Sequence, residues 1–350
     1  MTNYKPNRKS IMVVLTLIII ASLFVAIPSQ AKPTVEKRVG FVKTVGIATD
    51  GQIADAVIDT LEFDTVMGLY PNIIHVSENV YAITYTGDRN DGYLKTVEIA
   101  TGGEIVHTMD TLEFDTANGL YPNIIHVFDD IYALAYQGKG NDGFLKTVGI
   151  DTSGQITDTV IDTLEFDPVV ATTPNIIPVS GNIFAIAYWG EYGDGFLKTV
   201  GIDTSGQITD TVIDTLEFDT VMGLYPNIIH VSGNVYAITY AGIYEYGYLK
   251  TVEIATDGEI AEIVIDSLEF DSAIGTTPNI IRVSDVVYAI AYEGSSGDGF
   301  LKTVGIDTSG QITDTVIDTL EFDIANCMFP NIIRVSDVVY AIAHTQVSTG

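Results

Sequence analysis

Hydrophobic and polar positions alternate with period two along most of the chain, in short runs that are broken by turn residues. In one unit these runs cover residues 174–179, 183–188, 195–202 and 211–218, and segments rich in Gly, Asn, Asp and Ser separate them. Such alternation is typical of half-buried β-strands. Gly favours turns because it reaches positive φ, and the polar residues do so because they bond to their own backbone. The pattern predicts an all-β chain with four strands, A to D, in each unit.

Strand B is apolar on both faces, whereas strand D carries charge. Along residues 183–188, small side chains on one face alternate with large ones on the other. A strand that is apolar on both faces needs cover on both, so the sheets should stack face to face. Strand D contains Asp214 and Glu217. Charges of this kind suit the outer edge of a sheet, where they discourage pairing with another molecule.

The four-strand unit repeats along the chain. The word Pro-Asn-Ile-Ile begins at Pro71, Pro122, Pro174, Pro226, Pro278 and Pro330, and Lys-Thr-Val begins at Lys43, Lys95, Lys146, Lys198, Lys250 and Lys302. Both words recur every 51 or 52 residues. A fixed period in this range, made of several short strands, indicates a propeller or a solenoid.

The two ends of the repeat region complement each other. The region begins at Gly40 with strands C and D, and it ends after strands A and B of the last unit. We therefore predict a six-bladed β-propeller over residues 40–345, with four antiparallel strands per blade and a ring closed by one blade shared between the two ends. Residues 32–39 are then a linker and residues 346–350 a tail. A linear β-solenoid is the alternative, but this period exceeds the usual solenoid rung.

The first 31 residues have the layout of a secretory signal peptide. Lys5, Arg8 and Lys9 precede an apolar run over residues 11–27, and a Ser-Gln-Ala tripeptide follows it. An uncleaved membrane anchor is the alternative, since the run is at the short limit for spanning a bilayer. Either reading places the repeats outside the cytoplasm, in the medium or on the cell surface, with no lipid contact beyond that anchor.

The composition is strongly acidic. The formal charge of −30 becomes −33 when Lys5, Arg8 and Lys9 are removed, because residues 1–31 contain no acid. Such a surface repels nucleic acid and anionic lipid. Cys327 is the single cysteine in the sequence. Since no intramolecular disulfide can form, stability must come from packing.

A resemblance adds to this prediction. Residues 226–240 (PNIIHVSGNVYAITY), followed by Gly247-Tyr-Leu-Lys-Thr-Val and a turn with Asp257-Gly258, resemble a β-propeller blade. The strand order is similar to that of sialidase-like propellers, and the chain resembles repeat-rich surface proteins of archaea with near-identical blades. The Asp-box of the sialidase-like blades is missing, because the turn that begins at Asp151 is not followed by tryptophan. The resemblance therefore implies the architecture and no catalytic residue.

The copies differ most in the loops between strands D and A and between strands B and C, which surround the mouth of a propeller's channel. The candidate ligand-binding residues in these loops are Tyr70, Tyr121, Tyr225, Phe329, Trp189, Tyr192, Tyr244, Tyr246, Asp91, Asp142, Asp194 and Asp298. Flat rings pack on the apolar faces of sugars, and carboxylates accept hydrogen bonds from hydroxyls. The alternative is that each ring packs on a neighbouring blade and each acid is solvated.

Calcium is the one cofactor that the sequence brings into consideration. Asp88, Asn90 and Asp91 offer oxygen ligands at loop spacing, as calcium prefers. The matching segments 139–142 and 295–298 lack the first acid, so a structural turn is the alternative. The sequence contains no Gly-x-Ser-x-Gly elbow and no phosphate-binding glycine loop, and thus no catalytic motif.

Near-identity of the blades favours binding over catalysis. A catalytic site needs different residues from different blades, whereas copied positions suit multivalent recognition. The leading hypothesis is a secreted or cell-surface module that binds a glycan or a surface protein through the propeller mouth. The alternatives are a self-assembling subunit of a surface coat or filament, and a glycan-degrading enzyme that uses paired carboxylates.

Overall fold

The computed structural model describes residues 13–15, 38–47, 53–324, 327–336 and 338–346. Most of the leader, most of the linker and residues 347–350 of the tail lie outside the described residues. Within the described ranges, no helix has the length and apolar character needed to cross a membrane.

A small sheet forms near the N-terminus. It contains β1 (Val13–Leu15), β2 (Gly40–Ile47) and β3 (Ile53–Asp64), in that order. In this sheet β1 pairs antiparallel with the Val45–Ile47 end of β2.

Five four-stranded antiparallel sheets follow, each with its strands in chain order A-B-C-D; we call them blades 1 to 5. Blade 1 consists of β4 (Leu69–Ser77), β5 (Val80–Thr86), β6 (Gly92–Ile99) and β7 (Ile105–Asp115). Blade 2 consists of β8 (Leu120–Phe128), β9 (Ile131–Gln137), β10 (Gly143–Gly149) and β11 (Asp162–Asp167). Blade 3 consists of β12 (Thr172–Ser180), β13 (Ile183–Trp189), β14 (Gly195–Gly201) and β15 (Asp214–Asp219).

Blades 4 and 5 repeat the same arrangement. Blade 4 consists of β16 (Leu224–Ser232), β17 (Val235–Ala241), β18 (Gly247–Glu253) and β19 (Asp266–Asp271). Blade 5 consists of β20 (Thr276–Arg282), β21 (Val287–Glu293), β22 (Gly299–Gly305) and β23 (Asp318–Asp323). One 3₁₀ turn joins strands B and C in each of the five blades: Asp88–Asn90, Lys139–Asn141, Glu191–Gly193, Ile243–Glu245 and Ser295–Gly297.

The last sheet has two strands, β24 (Cys327–Ser336) and β25 (Val339–Gln346). Among the described pairings, β25 is not joined to β2, so the six blades and the closed ring stay predictions. The all-β class and the repeated four-stranded antiparallel sheets are confirmed.

Strand boundaries agree with the sequence pattern except at strand D. In blade 3 this strand begins at Asp214, three residues later than the alternation predicts. The cause is local, because the Thr209 hydroxyl oxygen accepts a hydrogen bond from the Gly201 amide at 3.2 Å. The chain leaves the regular ladder at this contact and rejoins it where the Ile213 amide donates to the Thr199 carbonyl at 2.8 Å.

The core lies between neighbouring blades. Phe184, Ile186 and Tyr188 of blade 3 are fully buried against Ala133 and Ala135 of blade 2. Large side chains of one blade therefore fill the space beside the small ones of its neighbour, as the two apolar faces of strand B predict. Full burial of one such large apolar side chain contributes about 1.5–3 kcal/mol.

Polar side chains also join each blade to the next. Between blades 2 and 3, Asp167 Oδ2 accepts hydrogen bonds from the Tyr188 hydroxyl and from Lys198 Nζ. Asn123 Oδ1 accepts one from the Ile176 amide at 3.2 Å. The Asp–Tyr–Lys contact recurs with Asp115, Asp219 and Asp271. The acids at the ends of strand D thus bind the neighbouring blade, which differs from the expectation that they only protect an edge.

The A strands form the innermost layer. Strand A of each blade contacts strand A of the next, in the order β4, β8, β12, β16, β20 and β24. The loops at the two ends of these strands therefore surround the inside of the assembly, and one end holds the candidate site.

Candidate functional site

The D-to-A and B-to-C loops meet at one end of the blades, which we call the mouth face. The Gly223 amide, in the loop before strand A of blade 4, donates to the Gly193 carbonyl of the blade 3 turn at 2.8 Å. Gly119 and Gly275 make the same contact to Asn90 and Glu245. This repeated bond fixes the two loops beside each other, so residues of both types share the mouth face.

One position at the start of strand A is left-handed in every copy. Tyr70, Tyr121, Tyr225 and Phe329 have φ values of 50°, 52°, 52° and 51°. At the same position Thr173 and Thr277 have φ values of 48° and 49°. The strand register shifts at this point, as it does between Leu69 and Asn72 in blade 1. A β-branched residue with positive φ is unusual and costs energy, so threonine at these two positions calls for an explanation.

The four aromatic rings at this position converge. The ring centroids of Tyr70 and Tyr121 are 4.1 Å apart, and their hydroxyl oxygens are 3.5 Å apart. Phe329 lies 6.4 Å from Tyr70 and 6.3 Å from Tyr225, in both cases edge to face. Rings from blades 1, 2 and 4 and from β24 thus form one aromatic cluster. This differs from the expectation of separate, equivalent sites on each blade.

The two threonines interrupt this cluster. Thr173 follows Tyr121 and precedes Tyr225 in blade order, and Thr277 stands between Tyr225 and Phe329. We call these two places the blade 3 gap and the blade 5 gap. At each gap a threonine side chain replaces an aromatic ring, so the mouth face carries rings in four copies of the unit and none in the other two.

The elements that meet at the blade 3 gap carry buried polar atoms without a partner among the described residues. Gln137 Oε1, Thr173 Oγ1 and Trp189 Nε1 are buried and have no hydrogen-bond partner in the part of the chain that the structure describes, and the same holds for Thr277 Oγ1 at the blade 5 gap. Gln137 is only 5% exposed, and its Nε2 donates to Asn141 Oδ1 at 2.7 Å, which fixes the direction of the amide. Buried polar groups nearly always have a partner, so these atoms indicate a place for water or a ligand.

The blade 5 gap is acidic. Burial, followed by the charge of Glu245, raises the pKa of Glu293, although a hydrogen bond from Thr276 opposes the rise. Burial also raises the pKa of Tyr225, and the next causes are Glu245, Tyr70 and Glu293. Two carboxylates and a tyrosine hydroxyl therefore interact electrostatically beside Thr277. The corresponding residues at the blade 3 gap are Asn141 and Trp189, which are neutral.

Several predicted residues lie away from the aromatic cluster. Tyr192 and Tyr244 are 86% and 73% exposed at the tips of their turns. Tyr246 packs near Tyr244, with ring centroids 5.7 Å apart. These three rings lie on the mouth face, but none of the described ring contacts joins them to the aromatic cluster.

The predicted aspartates are spread over separate B-to-C turns. Asp91 is buried, and Asp142, Asp194 and Asp298 are half-buried. Burial, and then the charge of Asp194, raises the pKa of Glu217 on strand D of the same blade, so this aspartate lies near strand D. The structure therefore does not bring the four aspartates together.

In the calcium-site candidate, Asp88 is paired with a basic side chain. Asp88 lies 3.7 Å from Arg89 Nε, and both side chains are exposed. In the ranges that the structure describes, no group of three or more His, Cys, Asp or Glu side chains is arranged to hold a metal ion. The single thiol is buried at the start of β24, and burial followed by Asp323 and Glu293 raises the pKa of Cys327 to about 12.

Four residues of these gaps were not predicted from the sequence as site residues: Gln137, Thr173, Thr277 and Glu293. A signal was present, because the last position of strand B differs in almost every copy: Thr86, Gln137, Trp189, Ala241, Glu293 and Thr345. A position that varies within near-identical repeats marks a site that belongs to the whole assembly.

Comparison with known proteins supports the fold. No protein-family model matches the chain, and no curated protein matches its sequence. Its structure is similar to a provisionally named 6-phosphogluconolactonase from Bacteroides fragilis, with a TM-score of 0.63, 13% identity, and coverage of 91% of this chain and 84% of that one. A second provisionally named 6-phosphogluconolactonase, from Bacteroides uniformis, has a TM-score of 0.46, 11% identity, and coverage of 80% and 94%.

An α-L-arabinofuranosidase from Clostridium thermocellum is also similar, with a TM-score of 0.42, 11% identity, and coverage of 72% of this chain and 94% of that one. Only the Bacteroides fragilis protein, among these three, has a TM-score above 0.5, and its low identity makes it evidence for the fold alone. The chain has a β-propeller-like fold of repeated four-stranded antiparallel sheets.

Proposed function

We propose that the chain is a secreted or cell-surface binding module that recognises a glycan at the mouth of a closed six-bladed ring. The observation that carries this proposal is the blade 3 gap, where Gln137 Oε1, Thr173 Oγ1 and Trp189 Nε1 are buried and find no partner in the described ranges. Tyr121 and Tyr225 flank the gap in blade order. The proposed site is one composite site rather than six equivalent ones.

The chemistry of the blade 3 gap suits a neutral sugar. Gln137 Oε1 accepts a hydrogen bond, Trp189 Nε1 donates one, and the Thr173 hydroxyl does either. Sugar hydroxyls both donate and accept, so a glycan offers partners of the kind that each of these atoms needs. Aromatic rings beside such polar groups provide the flat apolar surface that a sugar face needs.

Two contacts support ring closure. Tyr70 of blade 1 touches Phe329 of β24, so the first and last A strands come near each other. His344 Nε2 lies 3.1 Å from Asp323 Oδ2, which repeats the contact between Tyr292 and Asp271 one blade earlier. If the register of blade 5 continues, Ile342 of β25 lies opposite Lys43 of β2, as Ile290 lies opposite Lys302.

Closure of the ring requires that β1 is removed from the edge of β2. In the structure β1 occupies the Val45–Ile47 end of β2, which is the edge that β25 would pair with. Cleavage of the leader after residue 31 removes this competitor. In the closed ring Lys43 then binds Asp323, as Lys302 binds Asp271.

A double-mutant cycle tests closure. In the chain that spans residues 32–350, Lys43→Ala and Asp323→Ala should be coupled by about 1–3 kcal/mol in the free energy of unfolding, because the two residues share one contact. Lys198→Ala and Asp167→Ala provide the matched reference pair. Additive effects at Lys43 and Asp323, beside clear coupling in the reference pair, would contradict closure.

A glycan array tests the function. Residues 32–350 should bind at least one class of glycan saturably and leave it intact, with and without calcium, whereas an enzyme would release products. Trp189→Phe removes only the N–H donor and should weaken binding about fivefold or more, since a lost hydrogen bond costs about 0.5–1.5 kcal/mol and more when its partner stays buried. Tyr192→Ala, on the same face but away from the cluster, is the control and should bind normally.

A further inference from the structure

We propose that the blade 5 gap binds a protonated amine of the ligand, so that the preferred glycan carries an amino group. This inference rests on the proposed function, because it assigns a second subsite of the same mouth. The blade 3 gap suits any neutral sugar, and the second subsite narrows the ligand to glycans that carry an amine.

The two gaps are equivalent places in the repeat, but the residues around them differ. At both gaps a left-handed threonine replaces an aromatic ring, and in both cases its hydroxyl oxygen is buried without a partner. The B-to-C turn of the preceding blade contributes Asn141 at the blade 3 gap but Glu245 at the blade 5 gap. The end of strand B contributes Trp189 at the first and Glu293 at the second. The repeat thus places two carboxylates at only one of the two gaps.

The two carboxylates at the blade 5 gap lack a counter-charge among the described ion pairs. Among the described salt bridges, neither Glu245 nor Glu293 has a basic partner. Glu293 is half-buried, and the neighbouring Glu245 repels its charge. A half-buried carboxylate next to a like charge is destabilising unless a cation compensates. A bound cation would supply the missing counter-charge.

The surroundings of the blade 5 gap favour an organic cation over a metal ion. Phe329 and Tyr225 flank the blade 5 gap, with ring centroids 6.3 Å apart, and Phe329 is 45% exposed. Aromatic faces attract ammonium groups, which also donate hydrogen bonds to carboxylates and to a hydroxyl oxygen. A calcium ion would need six or more oxygen ligands, whereas this gap offers two carboxylates and one hydroxyl. The combination of rings with few oxygens therefore favours an amine.

The experiment compares two probes that differ only in this group. Chitosan oligosaccharides carry free amines, and chitin oligosaccharides of equal length carry the acetylated, neutral form. Calorimetric titration of residues 32–350 at about pH 6, where amines are protonated, should show roughly tenfold tighter binding of the amine form, which is the effect of one or two charged hydrogen bonds in a partly exposed place.

Three variants locate the effect. Glu293→Gln and Glu245→Gln should each reduce the preference for the amine form at least threefold, while the melting temperature stays the same or rises, because like-charge repulsion is removed. Thr277→Tyr restores the ring that blades 1, 2 and 4 carry and should abolish the preference. Asp158→Asn, an exposed acid at the opposite end of the sheets, is the control and should keep it.

The possible outcomes separate the inference from the proposed function. Equal binding of the two probes, no binding of the amine form, or an amine preference that survives in the double variant of Glu245 and Glu293 would overturn the amine subsite. The glycan array and Trp189→Phe test the glycan site independently of these probes. A positive array with no amine preference would thus leave the proposed function standing and remove only the inference.

Discussion

Removing the Asp167 carboxylate should be among the most destabilising single changes outside the apolar core. Asp167 Oδ2 binds Tyr188 and, at 2.9 Å, Lys198 Nζ, both from the next blade. Asp167 Oδ1 accepts the Val169 amide at 2.9 Å. The Asp167 and Lys198 side chains are 14% and 13% exposed, so water can replace little of this contact.

The expected magnitude follows from this geometry. Breaking a buried ion pair by removing one partner costs about 3–5 kcal/mol. Lys198 keeps a bond to the Phe166 carbonyl at 2.8 Å, which offsets part of the loss. We therefore expect Asp167→Ala to lower the free energy of unfolding by about 2–4 kcal/mol.

Urea denaturation of Asp167→Ala, Asp167→Asn and Asp158→Asn measures this effect. Asp167→Asn keeps an oxygen for the Val169 amide but loses the charge, so it should retain most of the destabilisation if the contact between blades is responsible. Asp158→Asn, on an exposed turn, should change stability by less than about 0.5 kcal/mol. If Asp167→Ala lowered the free energy of unfolding by less than about 1 kcal/mol, this contact would not be a main source of stability between the blades.

Three further predictions concern acid, closure and the aromatic cluster. The pKa values of Asp115, Asp167, Asp219 and Asp271 are below their ordinary range, because hydrogen bonds from Lys, Tyr and the backbone outweigh the effect of burial. Their stabilisation is present above the unfolded pKa and is lost as pH falls through the folded one, so unfolding midpoints should decrease below about pH 4, and a flat profile would contradict this. Deletion of residues 330–350 should abolish cooperative unfolding of the closed ring, whereas unchanged cooperativity would favour an open solenoid. Replacing Tyr70, Tyr121 and Tyr225 together by alanine should abolish glycan binding, and unchanged binding by a folded variant would exclude the aromatic cluster as the site.

Much of the architecture could be predicted because each strand carries its own local signal. The two apolar faces of strand B predicted stacked sheets, and Ala185 and Tyr188 are indeed buried between neighbouring blades. The start of strand D could not be predicted, because Thr209 competes for the ladder through its hydroxyl group. Whether β25 pairs with β2 depends on contacts between distant parts of the chain, which no local pattern encodes.

The candidate site was only partly predictable. Tyr70, Tyr121, Tyr225 and Phe329 stood out because aromatic residues recur at one position, but their convergence depends on how the A strands surround the inside. Thr173 was overlooked because a small residue gives no signal where rings are expected. Its importance follows from the absence of a ring beside buried, unpartnered atoms.

The most direct test of the glycan site is a binding titration of Thr173→Tyr against Thr277→Tyr, with a glycan selected on the array. Tyrosine already occupies this left-handed position in Tyr70, Tyr121 and Tyr225, so both variants should fold with unchanged melting temperature. We expect Thr173→Tyr to abolish binding by filling the blade 3 gap, whereas Thr277→Tyr should keep binding of a neutral glycan. Unchanged affinity in a folded Thr173→Tyr variant would contradict the central claim.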